Sequence, residues 1–174
     1  MSTRSDRARR RAPGRPPEDR PSPPTGSARI AALRLLGRRE YSTTELTQKL
    51  TDRGYDAAEI DRTLADLVRE RILDDRRVAE AHVRTASRVK GRGIVRIRRE
   101  LQARGIPAGV VDEVTQELSP DDQLAAIARF VTRKTAGRRP DVATRRRLFQ
   151  HLIRRGFPVD LIARALRYRP DDEE

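Results

Sequence analysis

Leu46-Thr-Gln-Lys-Leu50-Thr-Asp-Arg-Gly54-Tyr55-Asp56 reads as the end of one helix, a glycine turn and the start of another. The stretch returns as Ile97-Arg-Arg-Glu-Leu101-Gln-Ala-Arg-Gly105-Ile106-Pro107. It returns again as Leu148-Phe-Gln-His-Leu152-Ile-Arg-Arg-Gly156-Phe157-Pro158, at a constant step of 51 residues. A fixed period of this size marks a repeat architecture. In each copy two apolar residues four apart stack on one helix face. The glycine suits a left-handed C′ cap, and the apolar residue after it suits the contact that closes a Schellman end. Asp56, Pro107 and Pro158 then open a further helix as N-cap or first-turn residues. A helix pair of this kind does not bury its apolar face alone, so neighbouring copies must pack on it.

Working outward, an apolar stripe of Ile30, Leu33, Leu35 and Leu36 predicts a first helix from Ala28 that fades at Gly37-Arg38-Arg39. Ser42-Thr-Thr-Glu45 is a capping box that fixes the start of the repeated helix. The third helix runs from Asp56 to about Arg71, giving a three-helix unit over 28–73. Asp74-Asp75 opens a second unit over 74–118, where acidic residues cap the helix and complement its dipole. Its first helix is expected to reach Lys90, before Gly91-Arg92-Gly93, and Gly109 weakens its last. Pro120-Asp121-Asp122 opens the third unit, 119–170, broken at Gly137-Arg138-Arg139-Pro140 and resumed at Asp141. The fold class is all-α, an elongated array of three tandem three-helix repeats. Residues 1–27, rich in proline and arginine with almost nothing apolar, are expected to be a disordered tail. Residues 171–174 form an acidic end.

Charge dominates the composition. There are 39 Lys+Arg against 26 Asp+Glu, for a net +13 over 174 residues and a pI near 11.3. That balance points to a polyanionic or acidic partner. The tail carries +4, the first unit +1, the second +3, and the chain from residue 119 onward +5. The absence of cysteine excludes disulfides and thiolate metal sites. No apolar run is long enough for a membrane span, and the expected location is the cytoplasm. His82 and His151 are the only histidines, and no phosphate loop, catalytic triad pattern or zinc-ligand spacing is present. The Asp74-Asp75 and Asp121-Asp122 pairs stand where helix caps stand, so they read as caps rather than metal ligands. Neither enzymatic activity nor a cofactor is expected.

Ser42-x-x-Glu45-Leu46-x-x-Lys49-Leu50-x-x-x-Gly54, then Leu73-Asp74-Asp75 with Ala79 and Val83, then Ile97-x-x-Glu100-Leu101-x-x-x-Gly105-Ile106, resembles the RecX family of recombination regulators. The resemblance covers about 28–166. It implies an elongated, curved protein that binds filaments of the RecA recombinase, limiting filament growth, ATP hydrolysis, strand exchange and coprotease activity. RecA filaments are thus the expected partner, with the backbone of single- or double-stranded DNA as a further contact, and the protein itself is expected to be monomeric. Family members usually carry aromatic residues where this chain has Val78 and His82.

The residues expected to carry binding lie in the second and third units. Arg92, Arg96 and Arg99 fall roughly opposite Ile94, Ile97 and Leu101 at helical spacing, and so are expected to project into solvent together. The corners Lys90-Gly91-Arg92 and Gly137-Arg138-Arg139, with Arg145-Arg146-Arg147 close behind, are expected to line one edge if the units stack in register. Arg53, Arg104 and Arg155, which precede the three glycines, read as structural cations at helix C-termini. A second functional reading is a helix-turn-helix-like DNA-binding regulator. Against it, the turn is triplicated and no single helix stands out as a reader with Asn or Gln among its basic residues.

Overall fold

The computed structural model describes residues 26–166. The expected tail up to residue 25, residues 167–170 and the acidic end lie outside the described residues. Among the described residues all regular structure is helical: α1 (Ala28–Leu36), α2 (Thr43–Thr51), α3 (Ala57–Arg69), α4 (Asp75–Arg84), α5 (Ile94–Ala103), α6 (Ala108–Gln116), α7 (Pro120–Thr135), α8 (Val142–Arg154) and α9 (Val159–Leu166). Ser27, placed in the tail by composition, is the N-cap of α1. The capping box is formed as the sequence implies, with Ser42 Oγ accepting from the Glu45 amide and the Glu45 carboxylate accepting from the Ser42 amide.

All three repeated turns close as Schellman motifs. Gly54, Gly105 and Gly156 have φ of 82°, 71° and 83°. The amide of each following residue (Tyr55, Ile106, Phe157) donates to the carbonyl of Leu50, Leu101 and Leu152 respectively. Those same three residues are buried, so the apolar contact expected after the glycine is made in every unit.

Three aliphatic cores follow. The first gathers Leu35, Leu46, Leu50, Ile60, Leu64 and Leu67. The second is built on Val78, Val83, Ile97, Leu101, Ile106 and Val111. The third holds Ile127, Phe130, Leu148, Leu152, Leu161 and Ile162. Among the described residues no hydrogen bond or ion pair joins the first unit to the third, as expected where repeats touch only their neighbours.

Two local expectations change. The first helix of unit two does not continue as α-helix to Lys90, because Thr85–Val89 forms a π turn after α4. Such a turn widens the helix by one residue and reorients the side chains that follow it. In the third unit the cap is Ser119, whose hydroxyl accepts from the Asp122 amide and donates to its carboxylate. Asp121 and Asp122 lie in the first turn instead. Asp74 caps α4 as expected, whereas Asp75 reaches across to the Thr43 amide of the first unit at 2.7 Å.

Candidate interaction surface

The middle helices of the units stack head to tail. The last carbonyls of a helix have no intrahelical donor, and the first amides have no intrahelical acceptor. Here each turn presents its carbonyls to the start of the preceding middle helix. Ser42 Oγ donates to the Arg104 carbonyl at 2.5 Å and Thr44 Oγ1 to the Gly105 carbonyl at 3.0 Å. At the second seam the backbone itself donates, Gly93 N to Arg155 O at 2.9 Å and Val95 N to Gly156 O at 3.0 Å. The negative end of each helix dipole meets the positive end of the next. Buried Gln123 adds an acceptor for the Ile94 amide.

Arg104 and Arg155 are therefore structural, through neighbours rather than through the dipole alone. Arg104 donates to Glu45 at 2.8 Å, and Arg155 donates to the carbonyls of Lys90 and Gly91. Arg155 Nε also donates to His151 Nε2 at 2.9 Å. Burial, with Arg155, Arg154 and Lys134 adding to it, lowers the His151 pKa below its ordinary value. The His151 ring stacks on Phe130, with centroids 5.0 Å apart. Arg53 lines a shallow cleft with Arg34, Arg38 and Tyr55.

The expected row of solvated arginines on α5 is only partly there. Arg92 precedes the helix, is half-buried, and donates to Glu100 Oε2 at 2.5 Å. Arg96 donates to Glu100 Oε1 at 2.8 Å and to the Arg154 carbonyl of the third unit. His82 Nε2 lies 3.0 Å from Glu100 Oε2. Helical spacing separates Arg92 and Arg96 from the apolar face, but it does not reveal that one glutamate gathers both. Arg99 alone of the three is exposed without an ion pair, and its neighbour Arg98 pairs with Asp112.

Elsewhere the nine predicted residues divide among different surroundings. Lys90 is exposed at the second seam, in a cleft with Arg88, Arg129 and Arg133. Arg138, Arg139, Arg146 and Arg147 are exposed on the third unit, where Arg147 donates to Thr144 Oγ1. Arg145 is half-buried beside Arg139, Pro140 and Leu166 in a cavity of about 340 Å³. Arg84, Arg88, Arg129 and Arg133 were missed by the sequence reading, since they sit on two helices that only the packing of units brings together.

Partial burial works to raise the Glu100 pKa, but hydrogen bonds from Arg96, His82 and Arg92 outweigh it and hold the carboxyl below its ordinary value of 4.5. Glu45 is lowered likewise, burial being offset by Arg104 and the Ser42 amide. A carboxyl whose folded pKa is depressed contributes stability above its unfolded pKa and loses it as pH falls through the folded value. Both seams should therefore weaken below about pH 4.5. Glu100→Gln is expected to cost about 1 kcal/mol at neutral pH, after allowing for solvent screening. It should also flatten the acid side of a urea-midpoint-versus-pH curve, and an unchanged acid limb would show that the network adds nothing.

Sequence patterns of the three RecX three-helix domains match in order, the first over 28–67, the second over 74–114 and the third over 121–166. The chain belongs to the RecX family. A protein named Regulatory protein RecX from Halorhodospira halophila (strain DSM 244 / SL1) is 42% identical over 149 residues, covering 85% of this chain and 91% of that one. A protein of the same name from Pseudomonas savastanoi pv. phaseolicola (strain 1448A / Race 6) is 38% identical over 148 residues, covering 84% and 94%. The crystal structure of RecX from Lactobacillus salivarius superposes with a TM-score of 0.71 at 20% identity, over 80% of this chain and 92% of that one. The similarity in fold thus extends well beyond the similarity in sequence.

Val78 is 2% exposed within the second core, and His82 joins the Glu100 network instead of packing as a ring. No helix among the described residues is long and apolar enough to cross a membrane.

Proposed function

We propose that this chain is a non-catalytic cytoplasmic regulator that binds RecA nucleoprotein filaments as a monomer and restrains their recombinase, ATPase and coprotease activities. The observation that carries this reading is the ordered match of all three RecX domains, in a chain whose relatives are named regulatory proteins. The charge supports it. Among the described residues, exposed cations without a carboxylate partner are most numerous on the third unit, where an acidic or phosphate-bearing filament surface would be met.

A duplex-reading helix-turn-helix protein is the weaker reading. The third helix of each unit, which would be the reader, carries acidic residues: Glu59, Asp61 and Asp66 on α3, Asp112 and Glu113 on α6, and Asp160 on α9. Carboxylates on a helix entering the major groove would be repelled by phosphates. The test is RecA ATPase on single-stranded DNA with and without the protein. Dose-dependent loss of hydrolysis is expected, and full hydrolysis at saturating protein would refute the proposal.

A further inference from the structure

The seam between the second and third units holds a groove that the stacking itself creates. One wall is the end of α4 and the π turn, with Arg84, Arg88 and Lys90. The other is α7, with Arg129 and Arg133. Two adjoining cavities of about 210 and 250 Å³ share Ser87, Arg88, Ala126 and Arg129, so they form one continuous trough. The five cations are exposed and none makes an ion pair with a described residue. Nearby arginines behave differently: Arg92 and Arg96 both pair with Glu100, and Arg98 pairs with Asp112.

We propose that this groove binds the phosphate backbone of a single nucleic-acid strand. Holding five like charges around one trough, with the carboxylates Glu117 and Asp122 only at its Arg84 end, costs self-repulsion, and a polyanion seated there would relieve it. Guanidinium groups match phosphate oxygens as two-pronged donors. Arg129 and Arg133 are four residues apart on one helix, so their stems are spaced by about 6 Å along the axis. That is close to the step between successive phosphates of an extended strand. A nucleic-acid strand carries one charge at each such step by construction, whereas an acidic peptide would need carboxylates at regular intervals.

Base recognition is absent from this arrangement. Phe130 forms part of the floor, but it is buried, with His151 stacked on it at 5.0 Å and Arg155 4.8 Å from its ring centre. No ring is left free to stack a base, so binding there should be indifferent to sequence. The carboxylates Glu117 and Asp122 line only the cavity at the Arg84 end, so the strand would sit toward Lys90 and Arg133. The π turn puts Arg88 on the trough at the point where the α-helical path ends, and such turns recur at functional sites.

This inference deepens the filament reading, since a nucleoprotein filament contains such a strand, yet the two can fail separately. The test omits the recombinase. Binding of fluorescein-labelled oligothymidylate to the full chain is followed by anisotropy over a range of salt concentrations. Arg88→Gln/Arg133→Gln should weaken binding roughly tenfold and reduce the slope of log K against log salt by about 1.4, for two lost contacts to a single strand. Arg62→Gln, at an exposed site on α3 of the first unit, should leave both nearly unchanged. Arg133→Gln alone, a milder change at an exposed site, should reduce the slope by about 0.7 and serves if the double variant has altered helicity. Undiminished binding by both groove variants, or no binding by the parent chain at low salt, would overturn the proposal. So would displacement of the strand by poly-glutamate as effective as that by unlabelled oligonucleotide, because the groove would then select protein carboxylates.

Discussion

Gly93→Ala is expected to unseat the third repeat from the second, at a cost of about 3 kcal/mol in urea unfolding. Gly93 has an ordinary extended backbone, φ −80° and ψ 162°, so the effect owes nothing to forbidden dihedrals. A Cβ there would lie 2.3 Å from the Gly156 carbonyl oxygen and 2.4 Å from the Phe157 amide nitrogen. Both are backbone atoms of a closed turn and cannot swing aside. Opening the seam enough to admit a methyl group breaks the Gly93–Arg155 and Val95–Gly156 hydrogen bonds, at about 1 kcal/mol each. Residual strain adds a further amount of about 1 kcal/mol. Gly109→Ala is the matching control: nothing lies within 4 Å of its Cβ site and it sits inside α6. Alanine there should stabilise by about 0.5–1 kcal/mol. If Gly93→Ala unfolds at the parent's urea midpoint, the close approach at the second seam is not what holds the units together.

The same geometry separates the three repeat glycines. All have positive φ, which by itself makes alanine cost about 1 kcal/mol. At Gly105 and Gly156 the Cβ would also strike the neighbouring unit, meeting Thr44 at 2.4 Å and Arg96 at 2.3 Å. The glycine thus closes the turn within its own unit and lets the next helix approach closely. A sequence-level reading of turn chemistry sees only the first role.

What the sequence makes legible is whatever repeats. Leu46 and Leu50, Ile97 and Leu101, Leu148 and Leu152 return at one spacing because each unit needs the same buried face, and all six are buried. Ser42 and Glu45 are legible because a capping box is a local interaction. What was not legible depends on relations between units. Arg96 and Glu100 are an i,i+4 pair on α5, but the gathering of Arg92 and His82 on the same carboxylate requires the corner before α5 and helix α4 to fold over it, which no periodicity encodes. The seam groove requires the π turn to face α7, a contact set by the stacking of two units. Arg88 and Arg133 are 45 positions apart in the chain, and only the docking of Gly156 on Arg96 makes them neighbours.

Reversing Arg138, Arg139 and Arg146 to glutamate is expected to weaken inhibition of RecA ATPase on the order of tenfold to a hundredfold, from three exposed charge contacts at roughly 0.5–1 kcal/mol each. The three side chains are exposed and carry no ion pair with a described residue, so helicity and melting should be those of the parent. Arg92 and Arg96 are unsuitable for this test. Reversal at either would set a carboxylate against Glu100 and confound a binding loss with a packing loss. Arg99, exposed and unpaired on α5, is the informative substitution there. Arg38→Glu/Arg39→Glu provides the comparison in the nearly neutral first unit. Arg39 already lies 3.7 Å from the centre of the Tyr41 ring and pairs with Glu45 at 3.5 Å, leaving it less free to engage a partner. Inhibition by this variant should fall by less than about threefold. Equal losses from the two reversals would mean that the filament is met by the whole length of the protein. Intact inhibition by the third-unit variant would move the contact to the seam or to α5, and the salt dependence of inhibition would then separate phosphate from carboxylate partners, being steep for the former and mild for the latter.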